Sequence, residues 1–246
     1  ECAASPGIPD SLEFDRAALP LRLPAMTPQR QFLLDRNDRF LRNRLAHRSP
    51  GGDHFRPSMT ISRQCGAGID RISRELIEYL DAVDESGDHG WALFDQSLIA
   101  HLIENNSLPR SGPAFLPGKA KFPVSTVLSE TLNQPADQWS LFHYSAAAIR
   151  ILCRLGNTVV VGRAGNFVTA DLPNTFHVRL VGSEEKRVAH IAERYGISHD
   201  DARNVVRETD KARASFVERY ADSSIDAAHS YHLVLNTDDL RDEVLV

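Results

Sequence analysis

Residues 59–73 read Met59-Thr60-Ile61-Ser62-Arg63-Gln64-Cys65-Gly66-Ala67-Gly68-Ile69-Asp70-Arg71-Ile72-Ser73, and Arg74-Glu75-Leu76-Ile77-Glu78-Tyr79-Leu80 follow. A short β-prone run leads into a Gly-Ala-Gly turn, and the turn leads into a stretch with apolar residues at helical spacing. Strand, tight glycine turn and helix together form a cradle for an anion. Glycines let backbone N–H groups converge on one point, and the helix N-terminus adds partial positive charge. One part of the usual phosphate loop is missing. The pattern G-x-x-x-x-G-K-[ST] places Lys after the last glycine, where this chain has Ile69, and Asp70 stands in the Ser/Thr position.

Outward from this turn, strands and helices alternate. The expected elements are a strand at 58–62, a helix at 70–82, a short strand at 91–94 and a helix at Gln96–Glu104. A helix follows at 136–155 with Leu141, Phe142, Ile149 and Leu152 inward, closed by Gly156. Thr158-Val159-Val160-Val161 is apolar on both faces, which suits the middle of a parallel sheet. It ends at Gly162-Arg163-Ala164-Gly165. Thr175–Val181 is the next strand, Ser183 caps a helix through Tyr195, and Ser198 opens a long helix to about Tyr220. The last strand lies at 232–237. This alternation predicts an α/β protein with a parallel sheet. Ligands in such sheets bind beyond the carboxyl ends of the strands, so the turn at 66–68, Asp95 and Gly162-Arg163 are expected on one rim. Residues 105–134 are rich in Pro and Gly and read as an irregular flap.

Residues 1–57 carry seven prolines and form an extension with one basic amphipathic helix at 27–48. Phe32, Leu33, Phe40, Leu41 and Leu45 form its apolar stripe; Arg30, Arg36, Arg39, Arg42, Arg44 and Arg48 decorate the other face. Such a helix either docks on an acidic partner or packs on the main domain with a solvated basic face, and packing is favoured.

The 246 residues suffice for one large domain, and 42% hydrophobic with 25% charged is ordinary globular composition. A net charge of −5 makes no electrostatic case for nucleic acid. Cys2, Cys65 and Cys153 show no pair spacing, which suggests reduced thiols in a cytoplasmic protein. No apolar run reaches the roughly 18–20 residues that span a bilayer. The histidines show no metal-ligand spacing, and His177, in mid-strand, reads as a packed core residue.

Several of these stretches resemble the cytidylate kinase-like family. Thr60 to Gly68 is similar to its opening I-S-R-[QE]-Y-G-[SA]-G-G, and Val160 to Phe167 to its V-G-R-G-A-N signature. Pro173-Asn174 through Arg187 resembles its next strand and helix. Arg207-Glu208-Thr209-Asp210-Lys211-Ala212-Arg213 is similar to its lid helix R-x-x-D-x-x-R, and Tyr231 to Leu240 resembles its last strand. The resemblance spans 58–246 in consistent order. It implies a three-layer P-loop NTPase fold: a parallel sheet, helices on both faces and a helical lid at about 198–230. It also implies ATP-dependent phosphoryl transfer, with Mg²⁺, to a nucleoside monophosphate of CMP or dCMP type.

The resemblance implies roles by position. Gly66, Ala67 and Gly68 would cradle the donor phosphates, with Ser62 and Arg63 at the loop entrance. Arg163 would bind the acceptor, since a lone cation after a buried strand is costly unless it meets an anion. Arg71, Arg207 and Arg213 would supply catalytic charge, because phosphoryl transfer needs positive charge around three equatorial oxygens. Asp95 would orient the acceptor or a metal-bound water; as a local feature it reads more readily as an N-cap for 96–104. Asp210 would hold one of the lid arginines. Cys65, near a helix N-terminus, is expected to have a lowered thiol pKa. Where the family shows Gly-Arg-Glu after its glycines, this chain has Ile69-Asp70-Arg71. Two alternatives follow: a nucleotide-binding relative without turnover, and a kinase for another small acceptor. No membrane partner is expected, and the oligomeric state is not legible.

Overall fold

The computed structural model describes residues 28–46, 56–84, 90–104 and 138–238. The expected 105–134 flap and most of the 1–57 extension lie outside the described residues. The elements in chain order are α1 (Pro28–Ala46), β1 (Ser58–Arg63), α2 (Ile69–Val83), β2 (Ala92–Phe94), α3 (Gln96–Glu104) and α4 (Gln138–Leu155). They continue with β3 (Thr158–Val161), α5 (Gly165–Val168), β4 (Thr175–Val181), α6 (Glu184–Tyr195), α7 (His199–Ala221) and β5 (Leu233–Asn236).

The five strands form one sheet in the order β2-β3-β1-β4-β5. Every pairing is parallel, with Ile61 opposite both Val161 and Val178. This is the α/β fold the alternating pattern predicts. β1 and β3 alternate their side chains between two cores. Val159, Val161, Ile61, Val178 and Leu180 meet Ile72 and Ile77 of α2 on one face. Val160 and Phe94 meet α1, α3 and α4 through Phe40, Ile99, Ile149 and Leu152 on the other. A strand sealed on both faces has no polar side, and this explains the unbroken Thr-Val-Val-Val run. Among the described residues, no helix is long and apolar enough to cross a membrane.

Helix α1 packs into the main core. Leu34, Phe40 and Leu41 are buried, whereas Phe32, placed on the apolar stripe by spacing, is 63% exposed. The buried face is rotated from the expected one because polar contacts fix the helix. Asn37 Nδ2 donates to the Leu93 carbonyl at 2.7 Å. Arg36 donates to the Trp91 carbonyl at 2.7 Å and pairs with Asp81. Arg44 is buried with its guanidinium 5.4 Å from the Phe40 ring. Two of the expected solvated arginines are therefore structural.

His177 is a core histidine. Its Nδ1 lies 2.8 Å from Thr60 Oγ1, and its ring stacks on His232 at 4.9 Å. Burial, aided by His232, pushes its pKa from 6.5 down to about 4. Between those values the unfolded chain takes up a proton that the folded chain refuses. Stability therefore falls as pH drops through about 6.5 and levels off below about 4. Denaturant titrations across this window should show a loss of up to about 3 kcal/mol, and His177→Gln should flatten it.

Gly66 has φ 81°, and a Cβ there would lie 2.5 Å from the carbonyl oxygen of Arg187. The backbone of the turn is pressed against the start of α6. Gly66→Ala is expected to cost about 2 kcal/mol or more from strain plus overlap, read as a lower denaturation midpoint.

Candidate functional site

At the end of β1 the chain is tied to the end of β4. The Gln64 amide donates to the Leu180 carbonyl at 3.0 Å, and Gln64 Oε1 accepts from the Gly182 amide at 2.9 Å. The chain then turns through Gly66 and through Gly68, whose φ is 74°, into α2. Among the described residues, no acceptor meets the amides of Gly66, Gly68, Ile69 and Asp70. Three consecutive donors at a helix N-terminus, with the Gly66 amide two residues before them, suit an anion. The Asp70 carboxylate, which on sequence grounds would repel phosphate, is ion-paired with Arg194 of α6 on the outside of the turn.

Cys65 corrects an expectation. Burial raises its thiol pKa despite the nearby helix N-terminus. Its side chain packs with Val188, Ile191 and Val206 of α6 and α7, and desolvation of a thiolate there outweighs the helix dipole. Cys153, fully buried, is pushed up to about 12 by the same cause.

A cavity of about 320 Å³ opens at the carboxyl ends of β1 and β3, roofed by α7. Ser62, Arg63, Arg163 and Arg213 all line it, together with Thr60, Gln96, Asn166, Glu208, Thr209 and Phe216. The β3 exit is unusual. Gly162, Arg163 and Ala164 have φ of 85°, 55° and 53° in succession. Left-handed backbone at two non-glycine residues stores strain, which concentrates at functional sites. The contortion brings the Arg163 guanidinium to 5.8 Å from the Phe216 ring of α7. Arg213 Nη1 donates to the Arg63 carbonyl at 3.3 Å, so the two cationic residues meet across the cavity.

The remaining sequence-selected residues lie elsewhere. Gly66, Ala67 and Gly68 form the turn but do not line the cavity. Arg71 sits exposed on the first turn of α2, outside the cavity lining. Arg207 pairs with Glu184 at 2.8 Å on the outer side of α7. Asp95 Oδ1 accepts from the Leu98 amide and the Ser97 hydroxyl, both at 2.8 Å; it caps α3, and its neighbour Gln96 faces the cavity.

Two arginines escaped the sequence reading. Arg179 of β4, only 4% exposed, donates to Ser62 Oγ at 3.1 Å and pairs with Asp226 at 2.5 Å. A charge inside the run Thr-Phe-His-Val-Arg-Leu-Val was the available signal. Arg187 of α6 donates through Nη1 to the Cys65 carbonyl at 2.9 Å and to Asp210 Oδ2 at 2.6 Å. Nothing marks it within the charged run Glu184-Glu185-Lys186-Arg187.

Helix α7 is fastened at both ends. Its first half packs on α6, and Phe216, Val217 and Ala221 pack with Ala164, Phe167 and Ile225. Phe142 of α4 stacks on Tyr220 at 4.6 Å.

Among solved structures, the chain is similar to an uncharacterized protein from Eubacterium ventriosum ATCC 27560. The two are 15% identical with a TM-score of 0.57, covering 76% of this chain and 92% of that one. At that identity the likeness speaks for the fold alone. No curated protein matches the chain. A family model described as cytidylate kinase-like matches residues 58–239, the strands and helices from β1 through β5. The chain belongs to the cytidylate kinase-like family.

Proposed function

We propose that this protein transfers the γ-phosphoryl group of ATP to a nucleoside monophosphate of CMP or dCMP type. Family membership points to a nucleotide-kinase type of function. The observation that carries the finer reading is the convergence of Arg63, Arg163 and Arg213 on one cavity at the sheet rim. Three guanidinium groups supply the planar, multidentate charge that a phosphoryl group in flight requires. The glycine turn, with its four unclaimed amides, lies at the end of the same strand and takes the donor phosphates.

In this reading Arg163 and Arg63 hold the acceptor phosphate, and Arg213 on α7 closes over the transferred group. Phe216 offers an aromatic wall, and Gln96, Asn166 and Glu208 offer polar edges for the base and sugar. Among the described residues no group of three or more His, Cys, Asp and Glu side chains could hold a metal. In this reading magnesium would arrive on the triphosphate, with Glu208 the carboxylate at hand among the described residues of the cavity. Arg71 and Arg207 keep their proposed catalytic roles only if they swing from their present exposed positions. The buried, free Cys65 and Cys153 suit the reducing cytoplasm in which such an enzyme would work.

A reading without turnover has one observation in its favour. Ile69 and Asp70 replace the usual Lys and Ser/Thr, and the ion pair between Asp70 and Arg194 lessens the repulsion of phosphate without supplying a cation.

Millimolar ATP with Mg²⁺ is expected to raise the melting temperature by about 5 °C or more at a hundredfold excess over Kd. Absence of any shift would overturn nucleotide binding in all its forms. A coupled ADP-release assay across CMP, dCMP, UMP, AMP and non-nucleotide acceptors separates a kinase from a binder: binding without product favours the second reading.

Arg163→Gly should dissociate stability from activity. Glycine takes φ 55° without strain, which offsets the lost contact with Phe216, so the variant should stay close to the parent in stability. Losing a charge-assisted phosphate contact should cost about 1.5–3 kcal/mol in kcat/KM, roughly tenfold to a hundredfold. Unchanged kcat/KM would remove Arg163 from the site.

A further inference from the structure

Asp210 faces neither the cavity nor the solvent side of α7. Its Oδ1 accepts from the Cys65 amide at 2.7 Å, and its Oδ2 accepts from Arg187 Nη1 at 2.6 Å. The same Nη1 donates to the Cys65 carbonyl, and Arg187 Nε donates to the Gly182 carbonyl at 2.9 Å. The Arg187 backbone carbonyl is the group against which Gly66 is pressed. One carboxylate thus joins the glycine turn, the first turns of α6 and the middle of α7. The Arg187 side chain is 9% exposed and that of Asp210 25%, so these bonds form largely out of water, where charge-assisted contacts are strong. One turn further along α7, Arg213 reaches into the cavity, with Nη1 3.8 Å from Asp210 Oδ1.

We propose that Asp210 is a positioning residue that couples the glycine turn to the cavity, so that a ligand on one raises affinity at the other. Arg213 and Asp210 sit on the same rigid helix. Any shift of α7 that brings Arg213 toward an anion in the cavity pulls on the Cys65 amide, and so on the turn that follows it. Conversely, a phosphate that orders the turn fixes Cys65 and holds α7 in register. Asp210 touches the turn through the Cys65 amide and shares α7 with Arg213, so the carboxylate joins the two sites. Such coupling is reciprocal by thermodynamic necessity. The inference rests on the nucleotide reading of both sites, and its mechanical half can be tested without any nucleotide.

In the ligand-free protein, hydrogen exchange is measured for parent, Asp210→Asn, Arg187→Lys and, as a control on the same helix, Arg203→Ala. The asparagine keeps an oxygen for Cys65 but cannot accept from Arg187 and serve both partners as a carboxylate does. The lysine keeps the charge but not the fork that reaches three carbonyl and carboxylate groups. Both are expected to raise exchange in residues 65–72 and 205–214 together, by about tenfold; Arg203→Ala should change neither. A rise confined to one segment, or none, overturns the link. Should Asp210→Asn fail to fold, Arg187→Lys decides.

In the second arm, ADP with Mg²⁺ is titrated with and without saturating CMP, a pair that cannot turn over. CMP is expected to tighten ADP by about fivefold or more in the parent, and Asp210→Asn should abolish that tightening while binding each ligand alone within about threefold of the parent. Independent binding in the parent, or tightening retained by the variant, overturns the proposal. If the parent binds neither ligand, the nucleotide reading itself falls, and with it the ligand half of this inference; the exchange arm then still decides whether Asp210 links the two elements.

Discussion

The backbone of Gly66 lies against the carbonyl of Arg187, and most of the site follows from that contact. It requires a residue without a side chain at the end of the central strand. It fixes where α6 begins relative to β1, and therefore where the guanidinium of Arg187 can reach. β1 is paired on both sides, with β3 and β4, along nearly its whole length. Its exit point is consequently held from both sides, and the turn starts from a fixed place.

Around this fixed point the arginines divide by burial. Arg179 and Arg187 are enclosed and each is matched by a carboxylate, Asp226 and Asp210, plus neutral acceptors. A buried cation without such partners would be costly. Arg63, Arg163 and Arg213 line the cavity. Arginines enclosed with carboxylates thus shape the rim, and half-buried ones line its cavity.

The fold was legible because its signals are local and strong. Thr158–Val161, β-branched and apolar on both faces, suited an interior strand, and the glycine turn announced the strand-to-helix transition. The element ends matched within a residue or two, with α5 the short helix that spacing did not reveal. The site was legible only where a residue's direction follows from its element. Arg163 and Ser62 leave strand ends and so point to the rim. Helix α7 presented several charges with no outside reference for rotation; Arg213 turned inward and Arg207 outward because Cys65 and Phe142 set the helix's angle, and both lie far away in sequence. Asp95 resolved into a cap because a carboxylate two residues before a helical Ser and three before Leu98 accepts from the Ser97 hydroxyl and the Leu98 amide at once. Asp210 was expected beside a lid arginine, and its main partner, Arg187, comes from a different helix.

Strand β2 is three residues long and stands at the margin of the sheet, with β3 on its inner side. Its outer carbonyl at Leu93 is claimed by Asn37 of α1, a helix upstream of the family-matched region. A fragment cut at the family boundary would bare that hydrogen-bonding margin together with the apolar surface under Leu34, Phe40 and Leu41. Uncovered sheet margins recruit other strands, so the shortened protein would be prone to stick to its own copies. The upstream helix thus closes both the margin and the apolar surface beside it.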